Sequence, residues 1–574
     1  MERSRLLAHL WEFQNNEGYI SDKAIFELSQ KLRVSKNEIE GVVSFYHFFH
    51  RQPTGKYIIY LNNSILSEFK GFKKIKAAFE FETGCTFGKY GQSKLFSLFE
   101  TSCIGLSDQE CAALINFHPV THLTPESVKS IVNKLKNGIN LNSIVDNVTS
   151  KIQFTPQPNK TIFFKKYELG NALKKLKKSS PEAVLVELKK VELAGKGGAF
   201  FPTAQKWEIS KNAPNIEKVV ICNADEGEPG TFKDKSIIEN LPGLIIEGMI
   251  IAAFVTGATK GFIYLRAEYK YLKIKLENAL IDFYLQKLLG KNCCGIANFN
   301  FDIEIELGAG AYVCGAETAL IESLEGYRGE PRLRIQYPTE NGFMGSSTIV
   351  NNVETFAKAA RIIEFGADYI LKIGTAKSKG TKIICIAGDV AKPGIYEVEW
   401  GTSLKKLLEI SQATAPYYVQ SSGPSGDCLN DSDFDRKICK EDLLCGGSLM
   451  VFNRNRNLLK ILKNYTKFFL TESCGSCTPC RAGNQIIYAK IKKLKQGICT
   501  SQDLREIAEW SAIMQKGSRC GLGQYATNAF VQSLTKFETY FDGIVTTCAE
   551  NCNVEFDMEK AVYDYNLLIK NTQN

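Results

Sequence analysis

A chain of 574 residues with 44% hydrophobic and 23% charged side chains is not globally disordered and is too long for one core, which predicts roughly three to five folded units. Formal charge is +9, from 71 basic and 62 acidic residues, and the Lys174-Lys175 and Lys177-Lys178 runs read as solvated helix faces rather than a nucleic-acid footprint. Eighteen cysteines, densest where their spacing suits a metal, and no secretory signal pattern point to a reducing cytoplasm rather than a disulfide scaffold.

Residues 1–55 read as a helical leader. Ser21 precedes the apolar-periodic Ala24, Ile25, Leu28 and Leu32, and Ser35 opens a second run through Ile39 and Val42. Tyr57-Ile-Ile-Tyr-Leu61 is a short strand, a helix follows near Gly71–Glu82, and residues 56–136 make a small α/β unit. The polar, Asn-rich 137–164 stretch, with Pro156 and Pro158, reads as a linker. Residues 165–375 alternate strands, glycine loops and helices, as an α/β nucleotide-binding domain does. Within them Leu241–Ala258 carries Pro242 and Glu247 and predicts a buried helix rather than a membrane span. Phe301–Leu307 alternates apolar and acidic residues, a strand with one wet face. Residues 380–458 hold short strands and turns, 459–545 turn helical again, and 546–574 form a tail.

Four motifs fall in the nucleotide-binding region. Gly195-Lys196-Gly197-Gly198, followed by Phe201 and Lys206, could bring backbone N–H groups to a phosphate or could be a plain tight turn. Asn223, Asp225, Glu226 and Glu228 follow the strand Val219–Cys222, where α/β proteins bind ligands; an acidic turn capping the next helix is the alternative. Gly308-Ala-Gly310-Ala-Tyr312-Val-Cys314-Gly315-Ala316-Glu317 has the strand–glycine–helix order of a nucleotide-binding turn, with Cys314 a packed residue. Asn351, Asn352 and Thr355 offer amides and a hydroxyl, or a helix N-cap. All five histidines precede residue 123, which speaks against a histidine general base and a histidine-ligated metal. Hydride transfer between cofactors needs neither.

Cys474, Cys477 and Cys480 pack three thiolates into seven residues, and Cys520 supplies a distant fourth. That is the ligation pattern of a [4Fe–4S] cluster; zinc sites more often use separated pairs. Cys548 and Cys552 read as ordinary cysteines.

Taken in order, Gly195-x-Gly-Gly-Ala-x-Phe-Pro-Thr203, Asn223-Ala-Asp-Glu-Gly-Glu-Pro-Gly-Thr-Phe-Lys-Asp234, Gly308–Leu320, Val350-Asn-Asn-Val-Glu-Thr355 and Glu472–Gly483 resemble the NADH-oxidising flavoprotein of respiratory complex I, a module shared with NAD-linked formate dehydrogenases and hydrogenases. The first 140 residues look like its thioredoxin-like partner fused to it. This fusion, with Ser44–Phe49, Thr101–Glu110 and Lys392–Gly401, looks like the diaphorase subunits of NAD-reducing [NiFe] hydrogenases.

The resemblance implies a multidomain α/β fold: helical leader, thioredoxin-like domain, Rossmann-like FMN/NAD domain, ubiquitin-like β-grasp domain, and helical bundle with the [4Fe–4S] cluster. It implies FMN against Gly195, Lys196, Gly197, Gly198, Lys206, Asn223, Asp225, Glu226, Tyr312, Gly315, Asn351, Asn352 and Thr355. NAD(H) would lie near Phe201, Glu228, Glu317, Arg334 and Tyr337, with Glu228 and Glu317 in the catalytic positions. The implied partners are a small iron–sulfur diaphorase subunit and the hydrogenase small and large subunits, with no nucleic acid and no membrane span. A formate dehydrogenase or complex I setting, or a flavin-less scaffold, are the rivals. Ala194, Phe200, Ala204 and Ala316 depart from the family's usual Arg, Gly, Gly and acid, making the loop bulkier and removing one carboxylate. Asn62, Ser67, Cys103 and Ser107 fall where the thioredoxin-like partner carries four cysteines, so no [2Fe–2S] cluster is expected, with rescue by Cys85 and Cys111 the alternative.

Overall fold

The computed structural model describes residues 3–214, 217–333 and 335–545. The leader forms helices Leu6–Glu17, Asp22–Leu32 and Lys36–Phe45. Ser21 accepts from the Ala24 N–H at 3.1 Å, and Ser35 and Glu38 close a reciprocal capping box, so both starts are set by local chemistry. Strands β1 (Tyr57–Asn62), β2 (Phe96–Thr101), β3 (Ala113–Ile115) and β4 (His118–Val120) follow in the order β2-β1-β3-β4. β1 and β2 are parallel and need a crossover, which the helix Phe72–Thr83 provides.

The leader hooks onto the next unit. His47 and Phe48 donate their N–H groups to the carbonyls of Gly310 and Ala309 at 3.0 and 3.1 Å, and the Trp11 indole donates to Gly308 at 3.1 Å. Gly310 has φ +84°, and a Cβ there would sit 2.4 Å from the Phe48 ring, so glycine is required for the hook to close.

A three-residue strand, Ile152–Phe154 (β5), lies inside the polar 137–164 stretch. Beyond it a parallel sheet of β6 (Lys218–Ala224), β7 (Lys260–Leu265), β8 (Asp302–Leu307) and β9 (Ser347–Asn352) takes the order β8-β7-β6-β9. The apolar helix Pro242–Thr256 is buried along nearly its whole length, as the sequence predicts. No single helix among the described residues is long and apolar enough to cross a membrane. The wet face of β8 is matched by charge: Glu304 and Glu306 pair with Arg5 at 3.3 and 3.1 Å.

The second sheet contains β10 (Thr381–Gly388), β11 (Gly394–Glu399), β12 (Pro416–Ser421), β13 (Cys428–Leu429) and β14 (Ser448–Asn453) in the order β13-β12-β14-β10-β11-β5. The stretch expected to be a linker thus supplies its edge strand, β5 running parallel to β11. Further along, the N–H groups of Ile162, Phe163 and Phe164 all converge on the buried Glu397 carboxylate at 2.8–3.1 Å. Three residues are too few to show a strand period, and the pairing partner lies more than 200 positions away. The chain closes with helices Leu458–Glu472, Thr478–Gln496, Ser501–Gly517, Gly521–Tyr525, Asn528–Lys536 and Glu538–Asp542.

Candidate functional site

The C-terminal ends of β6 and β9 and the loop after β8 come together beside the loop 195–203: Asn223 pairs with Asn352 and donates to the Gly315 carbonyl, and Gly197 stands against Asn352. That loop is a closed reversal: the Gly195 N–H donates to the Phe201 carbonyl at 2.9 Å and the Thr203 N–H to Leu193 at 2.7 Å. Between these ties Gly197, Gly198 and Ala199 are exposed. Gly198 has φ +111° and open space where a Cβ would stand. An exposed backbone edge of this kind leaves amide groups free to meet an anion.

Just past the end of β6 stand Asp225 and Glu228, with Tyr312 against Gly227 and Glu228. Desolvation pushes the Asp225 carboxyl up to about 8, and its Oδ2 is enclosed without a hydrogen-bond partner. Glu228 accepts from the Tyr312 hydroxyl at 2.5 Å and the Ser425 N–H at 3.1 Å, and desolvation raises it to about 7. Asn223 spans the cleft floor, donating to the Gly315 carbonyl at 2.9 Å. Lys206 pairs with Glu317 and also donates to the Val350 carbonyl at 3.1 Å. Phe201 and Tyr337 are exposed; Arg334 lies outside the described residues, as do Cys548 and Cys552.

Other expected contacts already hold hydrogen bonds within the protein. Glu226 accepts from the N–H groups of Asp234 and Lys235 and from the Tyr269 hydroxyl, at 2.8–3.1 Å, so it caps the helix Lys233–Asn240. Asn351 accepts from the Trp207 indole at 2.8 Å. Asn352 N-caps the helix Val353–Phe365 and donates to Asp234 at 2.6 Å. Thr355 accepts from the Lys196 N–H at 2.9 Å, and the Lys196 ammonium lies 4.6 Å over the Trp400 ring. These residues make the floor on which the glycine loop rests. Phe200, whose bulk could have filled the cleft, packs instead on the apolar core of the second sheet.

Sequence reasoning missed what lies beneath that floor. Glu354 pairs with Lys382 at 2.6 Å and Lys233 at 3.3 Å, and Lys233 with Asp234 at 2.5 Å, all buried. Burial alone would raise Glu354, but Lys382, Lys233 and Lys196 hold it down at about 2. The motif containing Lys233 and Asp234 was visible; Lys382, on β10, had no local signal.

Cys480 and Cys520 belong to one packed cluster with Val313, Phe468, Phe469 and Leu522, Cys474 and Cys477 pack against it, and no disulfide joins the four. Burial pushes the Cys480 thiol up to about 11; its sulfur accepts from the Asn484 amide at 3.3 Å and shares a hydrogen bond with the Ser473 hydroxyl at 3.2 Å. The cleft and the thiols are neighbours. Tyr312 donates its N–H to Glu472 at 3.0 Å and packs on Phe468 with ring centroids 4.9 Å apart, and Val313 shares one packed cluster with Cys480 and Cys520.

In the thioredoxin-like unit, Asn62, Ser67, Cys103 and Ser107 are buried. Glu110 accepts from Asn62, from Ser64 at 3.2 Å and from the Ala112 N–H at 3.1 Å, and Cys103 lies 3.9 Å from Ser107. Cys111 donates to the Ser67 carbonyl at 3.5 Å, while Cys85 points to Phe96 elsewhere in the unit.

Three family models match the chain: the thioredoxin-like [2Fe-2S] ferredoxin over residues 1–136, the Nuo51 FMN-binding domain over 188–361, and the NADH-ubiquinone oxidoreductase-F iron-sulfur binding region over 460–543. The alpha subunit of the NAD-reducing hydrogenase HoxS of Cupriavidus necator is 40% identical, aligned over 100% of this chain and 97% of its own length. The chain belongs to the family of NAD-reducing hydrogenase alpha subunits. A crystal structure of an NAD+-reducing [NiFe]-hydrogenase in the H2-reduced state superposes with TM-score 0.89 at 33% identity, covering 99% of this chain and 96% of that one. One component of the NADH-quinone oxidoreductase of Aquifex aeolicus is 38% identical over 64% of this chain and 87% of its own length. In this member of the hydrogenase alpha family the first unit keeps the thioredoxin-like fold without a four-thiolate set.

Protonation of the cleft carries a stability signature. Glu228, raised from 4.5 to about 7, holds its proton more tightly when folded, so its contribution is full below about pH 4.5 and is lost as pH rises through 7. Glu228→Gln should remove that part of the decline, flattening denaturant midpoints between pH 5 and 8. An unchanged slope would mean the carboxyl is not protonated in the folded chain.

Proposed function

We propose that this chain is a diaphorase: it exchanges a hydride with NAD(H) at the cleft mouth and passes electrons singly through a [4Fe–4S] cluster held by Cys474, Cys477, Cys480 and Cys520. Bound FMN supplies the step from two-electron to one-electron chemistry. The adjacency of Tyr312 and Val313 to both the acidic cleft and the thiol loops carries this reading.

The exposed edge of Gly197–Ala199 would take the flavin phosphate. Asp225 and Asn223 would hydrogen-bond the ligand's polar edge, with the unpartnered Asp225 Oδ2 the strongest support. Phe201 and Tyr337 would bracket the nicotinamide, Glu317 would be oriented by Lys206, and Glu228, steadied by Tyr312, would line the reacting faces and help exclude water. Arg334 is expected to join them. Phe200 packing away from the cleft favours an enzyme over a flavin-less scaffold. The order β11-β10-β14-β12-β13 with helix Leu404–Ile410 supports reading 380–458 as a ubiquitin-like β-grasp unit.

The near-complete alignment with a hydrogenase alpha chain, against 64% of this chain for the NADH-quinone oxidoreductase relative, favours hydrogenase partners: a small iron–sulfur diaphorase subunit and the two hydrogenase subunits. We read the knot around Glu110 as the reason this chain carries no [2Fe–2S] cluster. Purified chain reconstituted with FMN and iron should reduce an artificial acceptor with NADH and hold about four iron ions, not about six. No flavin retention and no turnover would end the diaphorase reading; about six iron ions would end the single-cluster one.

A further inference from the structure

The glycine loop ends in two adjacent aromatic side chains that head opposite ways. Phe201 is 42% exposed at the cleft mouth, with the Lys206 ammonium 6.0 Å from its ring centroid. Phe200 packs against the apolar cluster of the second sheet, which contains Ile384, Tyr396, Trp400 and Val451.

Two observations tie this seat to the loop's placement. First, Phe200 has φ +52°, the left-handed region that glycine enters freely and other L-residues enter at a cost. That reversal lets ring 200 drop onto the sheet while residue 201 faces the cleft, and the bridge between Ala194 and Pro202 closes it. Second, Lys196, on the opposite limb of the loop, sets its ammonium over Trp400, a member of the same cluster. Both limbs are fastened to one sheet while the segment between them stays open.

We propose that Phe200 is a positioning residue for the nicotinamide substrate: its ring, seated on the second sheet, sets the heading of Phe201 and makes the loop follow that sheet. This rests on reading Phe201 as a nicotinamide contact. Phe200→Gly keeps the backbone conformation available and removes the anchor; Phe200→Leu keeps an apolar anchor; Phe201→Ala tests the underlying reading. The measurements are steady-state NADH oxidation with an artificial acceptor on the flavin-loaded chain, and flavin content by absorbance.

Phe200→Gly should raise KM for NADH about tenfold with kcat within about twofold and flavin content intact. Phe200→Leu should recover most of that KM, and Phe201→Ala should raise KM at least as far. If Phe201→Ala raises KM and Phe200→Gly does not, the positioning role is wrong while the cleft reading stands. If Phe201→Ala changes nothing, the cleft reading falls and the inference with it. If Phe200→Gly lowers kcat and flavin content together, Phe200 only holds the fold, and the proposal is overturned.

Discussion

Glu354→Gln is expected to destabilise the chain by about 3–5 kcal/mol, because it leaves the buried Lys382 without its counter-charge and Lys233 with Asp234 alone. Lys382 stands 2.6 Å and Lys233 3.3 Å from Glu354, and the Lys382 and Glu354 side chains are fully buried. The amide keeps the shape and loses the charge, so packing is not the variable. Lys382→Met alone should also destabilise, by removing the nearest cation from a carboxylate with no water to turn to. Combining it with Glu354→Gln should cost less than the sum of the two, the signature of a direct pair. The pH dependence has a definite sign. Glu354 is held at about 2 against an ordinary 4.5, so its stabilisation is present above about pH 4.5 and is lost as pH falls through 2. Thermal unfolding of wild type and Glu354→Gln should therefore differ by several degrees at pH 7 and converge in acid. A loss below about 1 kcal/mol at pH 7 would show that the network contributes little.

Cys477→Ala should leave three thiols where a cubane needs four, and abolish cluster-dependent electron delivery while sparing chemistry at the cleft. The chain should lose most of its iron. Reduction of a protein acceptor that draws on the cluster should fall about a hundredfold or more, and a small dye that reacts at the flavin should be reduced within a few-fold of wild type. Iron analysis, low-temperature EPR and the two acceptor assays measure these separately. Equal loss in both assays would mean the thiol loops shape the cleft itself, which the Tyr312 N–H bond to Glu472 makes a meaningful alternative. Unchanged iron would exclude Cys477 as a ligand.

Much of the architecture was legible where chemistry is local. Ser21 and Ser35 announce their helices because a cap acts within three residues. The cysteines at 474, 477 and 480 announce one packed loop because they stand within seven residues of one another. What could not be read depends on direction or distance. Glu226, Asn351 and Asn352 sit in the right motifs, yet their side chains serve a helix end, an indole and an aspartate. A motif says where the chain passes, not which way each group turns. The strand Ile152–Phe154 is invisible without its partner β11. Lys382 looks like any strand lysine until folding brings Glu354 beside it. Phe200 read only as added bulk in the loop because only the fold shows the second sheet receiving its ring.

The hook formed by Trp11, His47 and Phe48 on Gly308–Gly310 acquires a different meaning once its ends are seen to belong to one chain. A contact between separate proteins weakens on dilution. A tethered contact experiences a local concentration set by the intervening residues and is indifferent to how much protein is present. The loop that leads into Tyr312 is thus braced at a stoichiometry of one to one, at any expression level. A two-chain version of the same contact would have to be maintained by mass action.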